Sequence, residues 1–235
     1  MRLGRTMALY GAGAAALVGL LFAVAWLIRT KKKGGLLAEA FPDALGFGLL
    51  PGAAVWAVFE HWTPLGKGLP VMAPLPAGTW WTPDGMFAPA RVEMTLLLAC
   101  FAGMCLWLAL RRREELPRGE VLCVGLALWA TVRMITEGLR QEQYTVLGGH
   151  RMVLYAAMCI LLLLAVRWAM KDRRPRNQTA VWLMWIAFLA AIAVPVLQGQ
   201  GLMTVGSDIG DLLVKAGCAA VCLLLALSLR PRAAD

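Results

Sequence analysis

The sequence predicts an all-α fold: a polytopic transmembrane helix bundle of about seven spans, with the N-terminus outside and the C-terminus cytoplasmic. Three observations lead there. Of 235 residues, 60% are hydrophobic and 16% charged, whereas soluble domains carry nearer a quarter charged residues. Mean hydropathy is +0.68, and several apolar runs approach or exceed the roughly 18 residues that hydrocarbon requires. Lys and Arg, finally, alternate in density from one inter-span segment to the next.

The runs place spans at Ala8–Ile28, Phe41–Trp62, Val92–Leu110, Val121–Leu139, Met152–Met170, Ala180–Leu197 and Ile209–Leu229. The first lacks a small-residue cleavage exit and runs into "RTKKK", so it reads as an anchor rather than a cleaved signal. The second is the weakest, interrupted by Pro51 and several glycines. One set of alternate segments ("RTKKK", "RRREELPR", "RWAMKDRRPR" and the tail "RPR") holds 15 of the 23 Lys and Arg; the opposite set holds six. The positive-inside rule then fixes the orientation stated above. The net charge of +9 is thus an orientation device, and a nucleic-acid partner is not expected; a secondary use is attraction to anionic head groups.

Residues 1–170 form the main membrane domain, with an outer loop at 63–89 rich in Pro and Gly. Residues 171–235 comprise a basic linker and two further spans. The Trp80–Trp81 pair in the loop reads either as an interfacial anchor or as part of a lid. All six cysteines lie in apolar runs, without CxxC or Cys/His ligand spacing, so neither a metal nor a cofactor is expected.

The fourth span carries charge where hydrocarbon disfavours it. Arg133, Glu137, Arg140 and Tyr144 recur at i, i+4, i+7 and i+11, one face of a continuous helix in its outer-leaflet half. An Arg there costs about 2.5–3.5 kcal/mol on insertion scales, so it should face protein, a partner or water. Two readings stay open. Arg133 and Glu137 form a self-neutralising structural pair, or Arg133 and Arg140 hold a lipid phosphate while Glu137 fixes their geometry. Tyr10, His61, Glu93 and His150 fall at the same depth and are candidate site-lining residues. In the last span, Asp211 and Lys215 form an i,i+4 pair, with Ser207 or Asp208 as N-cap, and read as structural.

At these residues the sequence resembles the bacterial prolipoprotein diacylglyceryl transferase family. "YGAGAAALVGLLFAVAWLIRTKKKG" is similar to the family's opening Tyr-Gly span, and "LLPGAAVWAVFEHW" to its second, with Ala54 where the family has Arg. "APARVEMTLLLACFAGMCLWLALRRR" resembles the segment beginning His-Pro-Thr-x-x-Tyr-Glu; Ala88 and Val92 replace its His and Tyr, and Glu93 is kept. "GEVLCVGLALWATVRMITEGLRQEQ" is similar to the Tyr-Gly-x-x-Arg-Phe-x-x-Glu-x-x-Arg helix, with Arg133, Glu137 and Arg140 at its charged positions. "LGGHRMVLYAAMCILLLLAVRWAM" parallels the last span, with His150 where Gln is usual. The likeness covers about two thirds of the chain. It lacks the family's His-Gly-Gly and Gly-Arg-x-Gly-Asn-Phe spans and adds two at the C-terminus.

The resemblance implies a bacterial plasma-membrane enzyme that moves diacylglyceryl from phosphatidylglycerol to the Cys thiol of a lipobox in a precursor protein. It implies catalytic roles for Arg133 and Glu137 and phosphate binding by Arg133 and Arg140. The family's base His has no counterpart. Two other classes compete: a non-catalytic phospholipid- or lipoprotein-binding membrane protein, and a small transporter subunit.

Overall fold

The computed structural model describes residues 2–60, 99–100, 102–103, 119–136, 146–147, 150–171, 177–199 and 208–229. These form six helices of a helical membrane bundle: α1 (Arg2–Lys32), α2 (Leu37–Glu60), α3 (Glu120–Thr136), α4 (Met152–Lys171), α5 (Gln178–Gly199) and α6 (Asp208–Leu229). Four contain stretches long and apolar enough to cross a membrane: Leu9–Lys32, Leu37–Phe59, Val153–Lys171 and Gln178–Leu197. Leu213–Leu229 is a shorter apolar helix. Residues 99–100 and 102–103, inside the expected third span, are also helical. The sole extended pairing among the described residues is a two-residue antiparallel ladder, β1 (Val146–Leu147) with β2 (His150–Arg151), leading into α4.

The second span is not interrupted. α2 runs for 24 residues through Pro42 and Pro51, and its glycines are points of close helix approach. A Cβ on Gly48 would lie 2.3 Å from the Gly19 carbonyl oxygen, and one on Gly52 would lie 3.0 Å from that of Ala15. At the far end, a Cβ on Gly11 would meet Phe59. Gly11, Ala15, Gly19 and Ala23 thus form a small-residue stripe on α1, facing the Gly48-x-x-x-Gly52 pair of α2. In membranes such stripes allow backbone-to-backbone dispersion contact, because lipid supplies no hydrophobic drive between helices. The turn between these helices closes at Gly34, which has φ 77°. Its amide donates to Lys31 O and that of Gly35 to Thr30 O, a Schellman ending.

α3 is the axis of the bundle. Thirteen of its 17 residues are buried, and it packs against α2, α4 and α6. Gly46 of α2 abuts the α3 backbone at Val121 and Leu122, while a Cβ on Gly125 would lie 3.0 Å from the Gly46 carbonyl oxygen. The core continues through Leu154, Met158, Leu161 and Trp168 of α4 into Ala219, Cys222 and Ala226 of α6. The final helix pair therefore shares the core of the first 170 residues. Asn177 caps α5 by accepting the Thr179 amide at 3.0 Å, and α5 lies against α6, where the Cys222 thiol approaches Phe188 O at 3.9 Å. Leu17, Leu20 and Leu21 of α1, and Trp182, Leu183 and Ile186 of α5, are exposed, as expected of surfaces that meet lipid chains.

Candidate functional site

Arg133 stands in the last turn of α3, 7% exposed. Its guanidinium carbon lies 5.8 Å from the centroid of the Trp129 ring, one turn earlier, a cation–π separation. The two threonine hydroxyls near it are satisfied within the helix. The hydroxyls of Thr131 and Thr136 donate to Ala127 O at 2.8 Å and Val132 O at 3.0 Å. Beside Arg133, Val132 joins Ala54 and Ala57 of α2 and Cys100 in a buried apolar cluster. Ala54, where the resemblance has Arg, thus contributes a methyl group to a hydrophobic contact.

Tyr10 is 66% exposed, so its ring lies at the surface of the bundle. His150 pairs through its backbone with Leu147, immediately before α4. His61, Glu93, Glu137 and Arg140 lie outside the described residues, as do the loop at 63–89 and Ser207.

A second polar assembly occupies the opposite end of α3. Asp43, 8% exposed within α2, accepts the backbone amides of Gly119 at 3.0 Å and Val121 at 3.1 Å. It is an N-cap supplied by another helix, satisfying donors that the first turn leaves unpaired. Gly119 takes φ 77°, a conformation open to glycine at little cost, and this turns its amide toward Asp43. Glu120 follows, 1% exposed. Its Oε2 accepts the Trp168 indole N–H at 2.6 Å. Its Oε1 lies 3.4 Å from Arg167 Nη1 and 3.9 Å from Lys171 Nζ. Arg167 also donates to the Cys123 sulfur. The carboxylate additionally sits in the first turn of α3, where the helix dipole favours negative charge.

The Glu120 carboxylate is therefore desolvated yet held by one neutral donor and two cations, the condition under which a buried charge is tolerated. Arg167 and Lys171 keep 35% and 50% of their side chains exposed, so the chemistry is that of a partly wet ion pair against a dry indole bond. This assembly was not singled out by the reading of the sequence. The available signal was the rule applied to Arg133: Asp43 and Arg167 are also ionisable residues inside apolar spans.

In comparisons with known proteins, no family model, no curated protein and no solved structure matches the chain.

Proposed function

We propose that the chain is a phosphatidylglycerol-binding membrane protein of the diacylglyceryl transferase type, with Arg133 as the cation that receives the lipid phosphate. The observation that supports this is a permanent positive charge, 7% exposed, inside an apolar helix bundle. A guanidinium resists deprotonation and offers planar, forked donors suited to phosphate. In this reading the chain has seven spans in a bacterial plasma membrane, N-terminus outside and C-terminus cytoplasmic. Arg133 then lies toward the outer leaflet, with Glu137 and Arg140 four and seven residues further along the chain.

The transfer forms a thioether between the lipobox Cys sulfur and the terminal glyceryl carbon. It breaks the bond from that carbon to the phosphate oxygen, the thiol proton passes to a base, and glycerol phosphate leaves. Charge builds on the departing phosphate, so Arg133 and Arg140 would stabilise the transition state more than the bound lipid. The second reading, lipid binding without transfer, is favoured by Ala54. A buried methyl group in an apolar cluster stands where the resemblance has a cation.

Purified protein in phosphatidylglycerol vesicles, mixed with a lipobox peptide, separates the two. Diacylglyceryl-modified peptide by mass spectrometry supports transfer. Its absence, with lipid-dependent thermal stabilisation retained, supports binding alone. Arg133→Ala should abolish the stabilisation by phosphatidylglycerol while the protein still inserts, and Arg133→Lys should keep part of it. An unchanged lipid response in Arg133→Ala overturns both readings.

A further inference from the structure

We infer that Arg167 and Lys171 hold the phosphate of an anionic phospholipid at the Glu120 end of the bundle, with its acyl chains laid along the exposed face of α4. This site goes beyond the one proposed at Arg133 and does not depend on it. Glu120 opens α3 and Arg133 stands in its last turn, so the two sites lie at opposite ends of that helix.

Charge at the Glu120 carboxylate does not balance. Two cations, Arg167 and Lys171, share its Oε1 at 3.4 and 3.9 Å, while Oε2 accepts the Trp168 indole. Asp43 is committed to the amides that open α3 and to the positive end of that helix. Two positive charges therefore answer one carboxylate, and both side chains stay partly exposed, at 35% and 50%. The described contacts of Arg167 are made through Nη1, whereas a guanidinium offers a fork of several N–H donors. A phosphodiester, with one negative charge and acceptor oxygens, would complete the balance from the exposed side without disturbing Glu120.

Position makes that phosphate a lipid's. Lys171 ends the apolar stretch Val153–Lys171, so both cations stand where a span meets head groups and water, and long basic side chains there reach toward phosphate. Cys159, Leu163, Val166 and Met170 are exposed and recur at i, i+4, i+7 and i+11, a single stripe of the helix surface. Arg167 and Lys171 each follow a member of this stripe by one residue. They run along its border with Leu164 and Trp168, which are buried. The cations and a surface for acyl chains are thus contiguous, and a soluble phosphate would use only the first. A zwitterionic head group brings its own ammonium, which Lys171 would repel. The site should therefore prefer phosphatidylglycerol to phosphatidylcholine.

Ion pairs this exposed add little to stability, so occupancy is read by proximity and not by melting. The full chain would be reconstituted in phosphatidylcholine nanodiscs. These would hold a minor share of phosphatidylglycerol or phosphatidylcholine carrying a photoactivatable group in the acyl chain near the glycerol. Labelled peptides are mapped by mass spectrometry. The segment from Leu163 to Lys171 should take roughly fivefold more label from the phosphatidylglycerol probe, since each cation near an anionic head group favours it by about that factor. α5, which contains no charged residue, should be labelled equally by both probes. Lys171→Gln should lower the preference at α4, Lys171→Glu should remove it, and Arg167→Lys should keep most of it. Lys171→Gln leaves the Arg167 and Trp168 contacts to Glu120 in place, and serves if Lys171→Glu fails to fold. Arg133→Ala should leave the preference unchanged.

Equal labelling of α4 by the two probes, a preference that both Lys171 substitutions leave intact, or the same preference on α5 would overturn the site. So would the absence of label from either probe, which would mean that protein covers this face. A preference lost in Arg133→Ala would overturn it as well, by assigning the labelled lipid to the other end of α3. A preference at α4 that persists where Arg133 proves indifferent to lipid would support this site and remove the other.

Discussion

Asp43 and Glu120 use the same functional group for different tasks, and their substitutions should differ accordingly. Asp43 accepts two backbone amides, so Asp43→Ala leaves the start of α3 uncapped. We expect a loss of about 1–3 kcal/mol, on the scale of a lost cap plus an orphaned amide, read by chemical unfolding in detergent micelles. Asp43→Asn keeps one acceptor oxygen and should lose less. At Glu120, Trp168→Phe removes the 2.6 Å donor and should cost about 1.5–3 kcal/mol, typical of a hydrogen bond to a charged group. Lys171→Gln should change stability little, because that ammonium is half exposed and 3.9 Å from the carboxylate. Equal losses for Trp168→Phe and Lys171→Gln would argue against this ranking. Arg133 was legible in the sequence as a charge in an apolar run, and its burial agrees with that reading. Asp43 showed in the sequence only as an ionisable residue inside an apolar span, and its pairing was not legible, because a cap donated across 76 residues has no local spacing. The partners of Asp43 and Glu120 become neighbours only after α2, α3 and α4 have packed.

Among the elements, α2 best shows how a membrane helix departs from soluble rules. Pro51 and clustered glycines signal a break in water, yet α2 remains continuous. Each proline removes a helical donor, but breaking the helix would leave still more backbone groups without partners where water cannot replace them. The glycines let neighbouring backbones approach. Gly46→Ala and Gly48→Ala would set a methyl group 2.4 Å from the Leu122 Cα and 2.3 Å from the Gly19 oxygen, respectively. Each should destabilise by about 1–3 kcal/mol, as overpacking does. Gly13→Ala is the control, since nothing lies within 4 Å of its added carbon; it should be neutral or gain up to about 1 kcal/mol from helix propensity. Thermal melts followed by circular dichroism would rank the three, and an equal loss at Gly13 would refute close packing as the cause. The small-residue spacing that carries this packing was present in the sequence as Gly11, Ala15, Gly19, Ala23 and Gly48, Gly52. Read by apolarity alone, those positions register only as weak hydrophobicity.

Across the whole molecule, helix packing and charge distribution describe the same two ends. The start of α2, the start of α3 and the end of α4 meet around Asp43 and Glu120, close to the basic last turn of α4. α1 also ends in basic residues, just before the turn into α2. The proposed topology assigns this end to the cytoplasm, so a phosphatase fusion at residue 235 should be inactive and a fluorescent-protein fusion there should be bright. The opposite result would reverse the bundle. The helical class was legible because apolar run length is a strong signal in a membrane. The place of the last two helices was not, because a basic linker suggests an appendage, whereas Ala219, Cys222 and Ala226 complete the central core. The glycine-lined contact between α1 and α2 carries one more consequence. Its partners lie close in sequence and are joined by the turn at Gly34, so closing it needs little chain entropy and nothing made later. The nascent polypeptide should therefore settle as a two-helix hairpin during synthesis, before the third span leaves the ribosome. Cysteine pairs at Gly11 and Phe59 in arrested chains ending near residue 95 would cross-link if it does, and remain apart if the hairpin waits for α3.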